Sequence, residues 1–202
     1  MEFIESALFE PIPATRRSDR ASYRFDNAKR RRPEDHARQA MLTPGYVLEP
    51  IWSVLNGIGL DPCTELDNPT GAEHFHCLPA DGCSATWIGH SVFCNPPYGE
   101  ARGRWVERCI EVGKRKPVVL LIPAHTETQP FQAALENCSS VLFCKARLRF
   151  GVLRENRRQE AASHGSAIFG FGVDLAPLAH IGSVFHRPRR SCEQLALSLE
   201  QN

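Results

Sequence analysis

The residues Val92-Phe93-Cys94-Asn95-Pro96-Pro97-Tyr98-Gly99 concentrate more chemistry than any other stretch of the chain. The apolar run reads as the end of a buried strand. Consecutive prolines cannot donate to a sheet ladder, so the strand must stop at Asn95, and Pro96 biases Asn95 toward an extended backbone. A stiff turn results at a strand's carboxyl end, the edge at which open α/β sheets bind ligands. The Asn95 side-chain oxygen and the Pro96 carbonyl are two acceptors held by rigid neighbours. Together they can take both protons of an exocyclic amine and aim its lone pair at an electrophilic carbon without reorganisation. Tyr98 can stack on a planar base taken out of a duplex. The plain structural alternative is a Pro-Pro turn in which Asn95 caps its own backbone.

Such a turn needs a sheet and helices to hold it. Thr43-Pro44 predicts a helix start, with Thr43 as cap and Pro44 at the first helical position. Val47, Leu48, Ile51, Trp52, Val54 and Leu55 then follow at helical spacing. Gly57 and Gly59 end that helix, and Ile58-Gly59-Leu60-Asp61-Pro62 predicts a short strand running into a turn. Thr64 to Ala85 is polar and broken by Asn68-Pro69, Gly71 and Asp81-Gly82. Trp87-Ile88-Gly89 and Ser91 to Cys94 resume a strand-like pattern. A helix is expected from Ala101 to Lys114, with Trp105, Val106, Cys109, Ile110 and Val112 near one face. The apolar run between Pro117 and Pro123 has the character of a central parallel strand buried on both sides. A helix over Thr128 to Asn137, a strand over Ser140 to Cys144 and a strand over Ser166 to Val173 complete the alternation. Arg147 to Gly151 is a further strand or turn, and Arg154 to Gly165 a loop. Strands and helices alternating at this spacing specify an α/β domain with a mostly parallel sheet and helices on both faces.

A chain of 202 residues suits one domain of ordinary size, and 42% hydrophobic and 23% charged residues are globular proportions. The net charge of +1 makes no global case for a nucleic-acid or membrane partner, but its distribution does more. Residues 1–40 gather Arg16, Arg17, Arg20, Arg24, Lys29, Arg30, Arg31 and Arg32 among few apolar residues. That composition predicts a solvated, flexible basic arm, able to follow phosphates. Lys145, Arg147, Arg149, Arg154, Arg157 and Arg158 form a second basic series interleaved with Phe150. It reads either as a solvated face or as an attractor of a phosphate backbone. Residues 41–186 are expected to be the folded domain, and 187–202 a basic, short helical tail. No basic leader opens the chain and no apolar run approaches a membrane span. Its eight cysteines are therefore expected to be reduced, intracellular and mostly buried.

Other candidates for chemistry carry less. His74, His76, Cys77 and Cys83 are the one metal-like group, but they lack paired Cys-x2-4-Cys spacing and a matching second half, so no metal is expected. Cys94 has no evident base beside it. His125-Thr126-Glu127-Thr128 follows the apolar strand at the same sheet edge as Asn95, either touching substrate or capping the next helix. Asp61-Pro62 and Asp81-Gly82, taken alone, are ordinary turn formers.

Taken in order, these motifs do more. Thr43-Pro44 before a helix, Leu60-Asp61-Pro62-Cys63, Asp81-Gly82 followed by Trp87, Cys94 to Tyr98, Leu121-Ile122-Pro123-Ala124 and Arg147-Leu148-Arg149-Phe150 together resemble the phage-type DNA N6-adenine methyltransferase (Dam-like) family. The resemblance extends from about Leu42 to Phe185. It implies a Rossmann-like methyltransferase fold, S-adenosylmethionine as cofactor, double-stranded DNA as partner and transfer of a methyl group to adenine N6 without a metal. Asn95, Pro96, Pro97 and Tyr98 would be the catalytic motif. Thr43, Pro44, Asp61, Pro62 and Cys63 would line the cofactor pocket, with Asp81 a hydrogen-bond partner for the cofactor's adenosine part. A phage or prophage origin and a place of work in the cytoplasm of a bacterial host go with the family. Thr64-Glu65-Leu66 stands where methyltransferases usually carry a glycine-rich loop. The same tetrapeptide occurs in methyltransferases of RNA bases and of protein glutamine, and a non-catalytic nucleic-acid-binding relative is a further alternative.

Overall fold

The computed structural model describes residues 41–99, 101–152 and 159–187. The arm over residues 1–40, the basic residues Arg154, Arg157 and Arg158, and the tail from residue 188 lie outside them. Strand β1 (Met41–Leu42) leads into helix α1 (Gly45–Leu55), then β2 (Leu60–Asp61), β3 (His74–Phe75) and β4 (Val92–Cys94). Helix α2 (Arg102–Gly113), β5 (Val118–Pro123), helix α3 (Gln129–Asn137) and β6 (Ser140–Cys144) follow. The described chain closes with β7 (Arg149–Val152), β8 (Gln159–Ala161), β9 (Ser166–Phe171), a 3-10 turn at Ala176–Leu178 and β10 (Gly182–His186).

Seven strands form the main sheet in the order β10-β6-β9-β5-β4-β2-β3. The period-2 alternation of β5 builds the core on both faces. Val118, Leu120 and Ile122 pack with Trp105, Val106, Cys109 and Val112 of α2 and Phe131 and Ala134 of α3. Val119 and Leu121 pack on the other face with Val47, Ile51 and Leu55 of α1. Those three α1 residues recur every four positions, so a single stripe of the helix is buried against the sheet. The expected alternation of strands and helices thus produces a sheet with helices on both faces.

The sheet is mixed, where a mostly parallel one is expected from the strand and helix spacing. β2 pairs with β3 and β4, and β4 with β5, in parallel. β9 inserts antiparallel between β5 and β6, and β10 pairs antiparallel with β6. Parallel neighbours thus account for half of the pairings, although β3, β2, β4, β5 and β6 all point the same way. The difference arises because an apolar run buried on both faces has the same sequence whichever way it points.

A small second sheet, in the order β1-β7-β8, joins Leu42 to Gly151 and Phe150 to Glu160 in antiparallel register. Buried Leu148, Phe150 and Ala162 connect it to the α1 side of the core.

Two local expectations change. Pro44, rather than Thr43, takes the N-cap position of α1, with an extended backbone and no side-chain cap bond. The amides of Val47 and Leu48 bond to the Pro44 carbonyl at 2.9 and 3.1 Å, so the first turn needs no hydroxyl cap and Thr43 is available elsewhere. Trp87 to Gly89 is not a strand. The Trp87 indole donates to the Gly82 carbonyl at 2.8 Å. The Lys116 ammonium takes the carbonyls of Trp87 and Gly89 at 3.0 and 2.6 Å, so these acceptors serve a side chain and no ladder.

Ser91 locks the start of β4 to the end of α1. Its hydroxyl accepts from the Gly59 amide at 3.0 Å and donates to the Gly57 carbonyl at 2.8 Å, and the residue is fully buried. Ser91→Ala would strand a buried donor and acceptor. The expected cost is about 1–3 kcal/mol, measured as a lower urea midpoint with an unchanged denaturant slope; an unchanged midpoint would remove Ser91 from this role.

Candidate active site

β2 sits where the chain changes direction across the sheet, with β3 on one side of it and β4 on the other. The carboxyl ends of β2 and β4 therefore border a topological switch point, where open α/β sheets leave a crevice. Asp61 is the last residue of β2, and Asn95 follows the last residue of β4.

The Asn95 amide nitrogen donates to Thr43 Oγ1 at 3.0 Å. An amide has its donor and acceptor on opposite branches, so anchoring Nδ2 sets the direction of Oδ1. Pro96, the next residue, is buried. Tyr98 meets two rings edge-on: Phe150 at 6.2 Å between centroids, with planes at 86°, and His164 at 5.3 Å and 67°. Burial raises the Tyr98 hydroxyl above its ordinary range, and the nearby Arg102 guanidinium only partly opposes that. The phenol is therefore protonated at neutral pH.

The Asp61 side is equally ordered. Its carboxylate is 3% exposed and accepts from the Cys63 amide at 3.0 Å and the Thr70 hydroxyl at 2.9 Å. It thereby holds both ends of the turn that leaves β2. Burial pushes its pKa from 3.8 to about 6, against the lowering effect of those hydrogen bonds. Cys63 Sγ lies 3.8 Å from Cys94 Sγ, so the turn after β2 touches the end of β4 directly. A Cβ on Gly82 would collide with the Pro62 carbonyl oxygen, so glycine alone lets the Asp81-Gly82 turn press onto Pro62.

Asp81 is engaged within the protein. One carboxylate oxygen accepts from the Cys83 amide at 3.1 Å; the other accepts from the Ser84 hydroxyl at 2.8 Å and from Arg104 at 3.3 Å. Thr43 is thus linked to Asn95, and Cys63 joins Asp61 to the end of β4, while Asp81 bonds only to Cys83, Ser84 and Arg104 in the contacts above and reaches this edge through its neighbour Gly82 on Pro62; Pro44 is buried next to Thr43.

The thiols beneath this edge are inert. Burial raises Cys63, and Cys94 well above its ordinary range, and a buried protonated thiol is neither nucleophile nor metal ligand. The seven described cysteines are all free. No group of three or more His, Cys, Asp or Glu among the described residues could hold a metal ion.

His164 was not singled out by sequence reasoning. As the lead-in to a parallel strand it would fall at the opposite sheet edge. Because β9 runs antiparallel to β5, its amino end lies at the same sheet edge as Asn95, and Ser166 pairs with Pro123. The His125 ring, just beyond β5, packs on His164 at 5.2 Å and 82°. The Thr128 hydroxyl, at the N-cap of α3, donates to the His125 carbonyl at 2.8 Å rather than capping the helix. Exposed Lys145, Arg147 and Arg149 stand after the carboxyl end of β6 on the same edge.

The family model described as DNA N-6-adenine-methyltransferase (Dam) matches residues 32–189 of the chain, beginning within the basic arm and spanning every element above. No curated protein matches the chain.

The raised pKa of Asp61 has a signed consequence. Between about pH 4 and 6 the folded state binds more protons at this group than the unfolded chain does, so its contribution to stability falls as pH rises. A rise from 3.8 to about 6 corresponds to about 3 kcal/mol. Subtracting the stability of Asp61→Asn from that of the native protein across pH 3.5–7 (about the window set by the two values) is expected to give a difference that declines with pH. A flat or rising difference would contradict the assigned burial.

Proposed function

The chain belongs to the DNA N-6-adenine-methyltransferase (Dam) family, and from that membership we propose that it transfers a methyl group from S-adenosylmethionine to the N6 of an adenine turned out of double-stranded DNA. The observation that carries this reading is the Asn95-Pro96-Pro97-Tyr98 turn at the end of β4, seated beside the Asp61 turn at the strand-order switch. We read the fold as Rossmann-like on the same ground. No helix among the described residues is long and apolar enough to cross a membrane.

The residues at the switch point suit the cofactor. Pro44, Pro62 and Cys63 would offer apolar surface to the cofactor's purine, and the buried Asp61 carboxylate a negative charge to its cationic part. S-adenosylmethionine, when bound, contributes an electrophilic methyl group. Thr43, Pro44, Asp61, Pro62 and Cys63 would hold it. Asp81 would serve it indirectly, by capping the turn that Gly82 seats on Pro62, since its carboxylate oxygens already bond inside the protein.

This chain's own contribution to the reaction is orientation. Adenine inside a duplex hides its amino group, so the base must leave the stack, and Tyr98 offers it a ring of fixed tilt. Asn95 Oδ1 and the Pro96 carbonyl accept the two amino protons and turn the nitrogen lone pair toward the methyl donor. Thr43 keeps the amide from rotating. No covalent bond to the protein forms, because an oriented amine is itself the nucleophile. Lys145, Arg147 and Arg149 would meet the phosphate backbone.

Incubating the protein with methyl-labelled S-adenosylmethionine and unmethylated duplex DNA is expected to place label in N6-methyladenine, identified by mass spectrometry of the nucleosides. Cofactor binding without labelled adenine would defeat the substrate assignment. Asn95→Ala is expected to lower kcat by about 100- to 1,000-fold with cofactor affinity retained in calorimetry. Thr43→Val, which removes only the anchor of the amide, is expected to fall between that variant and the native protein. Native turnover in Asn95→Ala would take Asn95 out of the reaction.

A further inference from the structure

Methylating an amine raises a question that the catalytic turn does not answer. The nitrogen forms a bond to carbon and must then lose one of its protons. The Asn95 amide and the Pro96 carbonyl are hydrogen-bond acceptors, not bases. The Asp61 carboxylate is already engaged by the Cys63 amide and the Thr70 hydroxyl. The Tyr98 phenol and the Cys94 thiol are held protonated by burial. Resting on the reading above, we infer that His164 receives this proton, on Nε2.

Three observations support the assignment. The first is position. The His164 ring is 5.3 Å from the Tyr98 ring on which the base would stack. It is brought there by the antiparallel course of β9 and by the β7–β8 hairpin, which also places Phe150 edge-on to Tyr98.

The second is the tautomer. His164 Nδ1 lies 3.1 Å from the Gly165 carbonyl oxygen. A carbonyl can only accept, so Nδ1 carries the hydrogen, and the neutral ring has its lone pair on Nε2.

The third is the charge around it. Burial first, and then the nearby cations, lower the His164 pKa below its ordinary value. The groups that face it are His125 from the end of β5, Arg102 from the start of α2, Arg147 from the segment after β6, and Tyr98 from the catalytic turn. Glu127 offsets part of the Arg102 charge. The bond to the Gly165 carbonyl works in the other direction, favouring the protonated ring. The balance keeps the imidazole neutral at physiological pH, which is the state a proton acceptor needs. Low basicity is no obstacle, because an aromatic amine that carries a positive charge is a strong acid.

The step balances simply. The N6–H bond breaks and its electron pair stays on the nitrogen as the neutral methylamino group. The proton forms a bond to Nε2, giving an imidazolium that the surrounding cations disfavour and that loses its proton to water before the next turnover.

Two substitutions separate this role from packing. His164→Phe keeps an aromatic edge against Tyr98 but has no acceptor, and His164→Gln keeps polarity without a titrating ring. With saturating cofactor and DNA, single-turnover methylation by the native protein is expected to fall as pH drops through the His164 pKa. Both variants are expected to lose that acidic limb and to be slower by about 100-fold at neutral pH, with calorimetric cofactor affinity unchanged. Nitrogen NMR of the free protein is expected to show Nε2 as the bare nitrogen of neutral His164, titrating below an ordinary histidine. Native rates and a native acidic limb in His164→Phe, or a bare Nδ1, would overturn the assignment while the methyltransferase reading stands. A native protein that leaves adenine unmethylated would end both.

Discussion

The hydrogen bond from Asn95 to Thr43 closes a separation of 52 residues, and the arrangement of the candidate site depends on it. Two prolines make the backbone of the Asn95 turn stiff, but they do nothing to fix a side-chain amide. That job falls to the small sheet. Its first strand ends in Leu42 and delivers Thr43 to the amide. Its second carries Phe150 against Tyr98, and its third leads through Ala162 to His164. Each short strand thus supplies one support to a turn that belongs to the other sheet. A site of this kind is precise because its supporting residues are themselves held by packing, here by the burial of Leu148, Phe150 and Ala162 in the α1-side core.

Much of the scaffold was legible because its signals are local. The four-residue recurrence of Val47, Ile51 and Leu55, the unbroken run in β5 and the stop at Pro96-Pro97 each follow from the chemistry of neighbouring residues. The candidate turn and the Asp61 edge were legible for the same reason. What escaped was relational. Nothing in Ser166 to Phe171 distinguishes an antiparallel central strand from a parallel one, since both faces are buried either way. With the direction of β9 went the identity of the sheet edge at which His164 lies. Thr43 is ambiguous in sequence in the same way. A Thr before a proline and a helix is an ordinary cap, and only the fold shows that the Pro44 carbonyl already serves the first turn while the hydroxyl turns to Asn95. Gly82 looked like a common turn glycine. Its close approach to Pro62 is visible only when two loops meet.

The electrostatics divide the edge into two halves that ask opposite things of their ionisable groups. At the β2 end a single carboxylate is buried where burial raises its pKa, so Asp61 costs stability at neutral pH to keep the turn after β2 closed. At the β5–β6 end the formal charges that crowd the ring are positive. Burial does most to lower the His164 pKa, His125, Arg102 and Arg147 lower it further, and exposed Lys145 and Arg149 extend the positive charge to the rim. One set of cations therefore does two jobs on the proposed reading: it attracts a phosphate backbone and it adds to the burial that holds the imidazole neutral in the free protein.

These jobs are coupled. A phosphate settling beside Arg147 would offset the charge that opposes protonation of His164, so the ring becomes a better proton acceptor when DNA is in place than when it is absent. The direction follows from the sign of the charge alone: removing a repulsive cation's field raises the pKa of a neighbouring imidazole. Basicity at Nε2 would then rise on substrate binding, at the point in the cycle where an amine proton must be removed, and fall on product release, when the imidazolium has to give that proton to water.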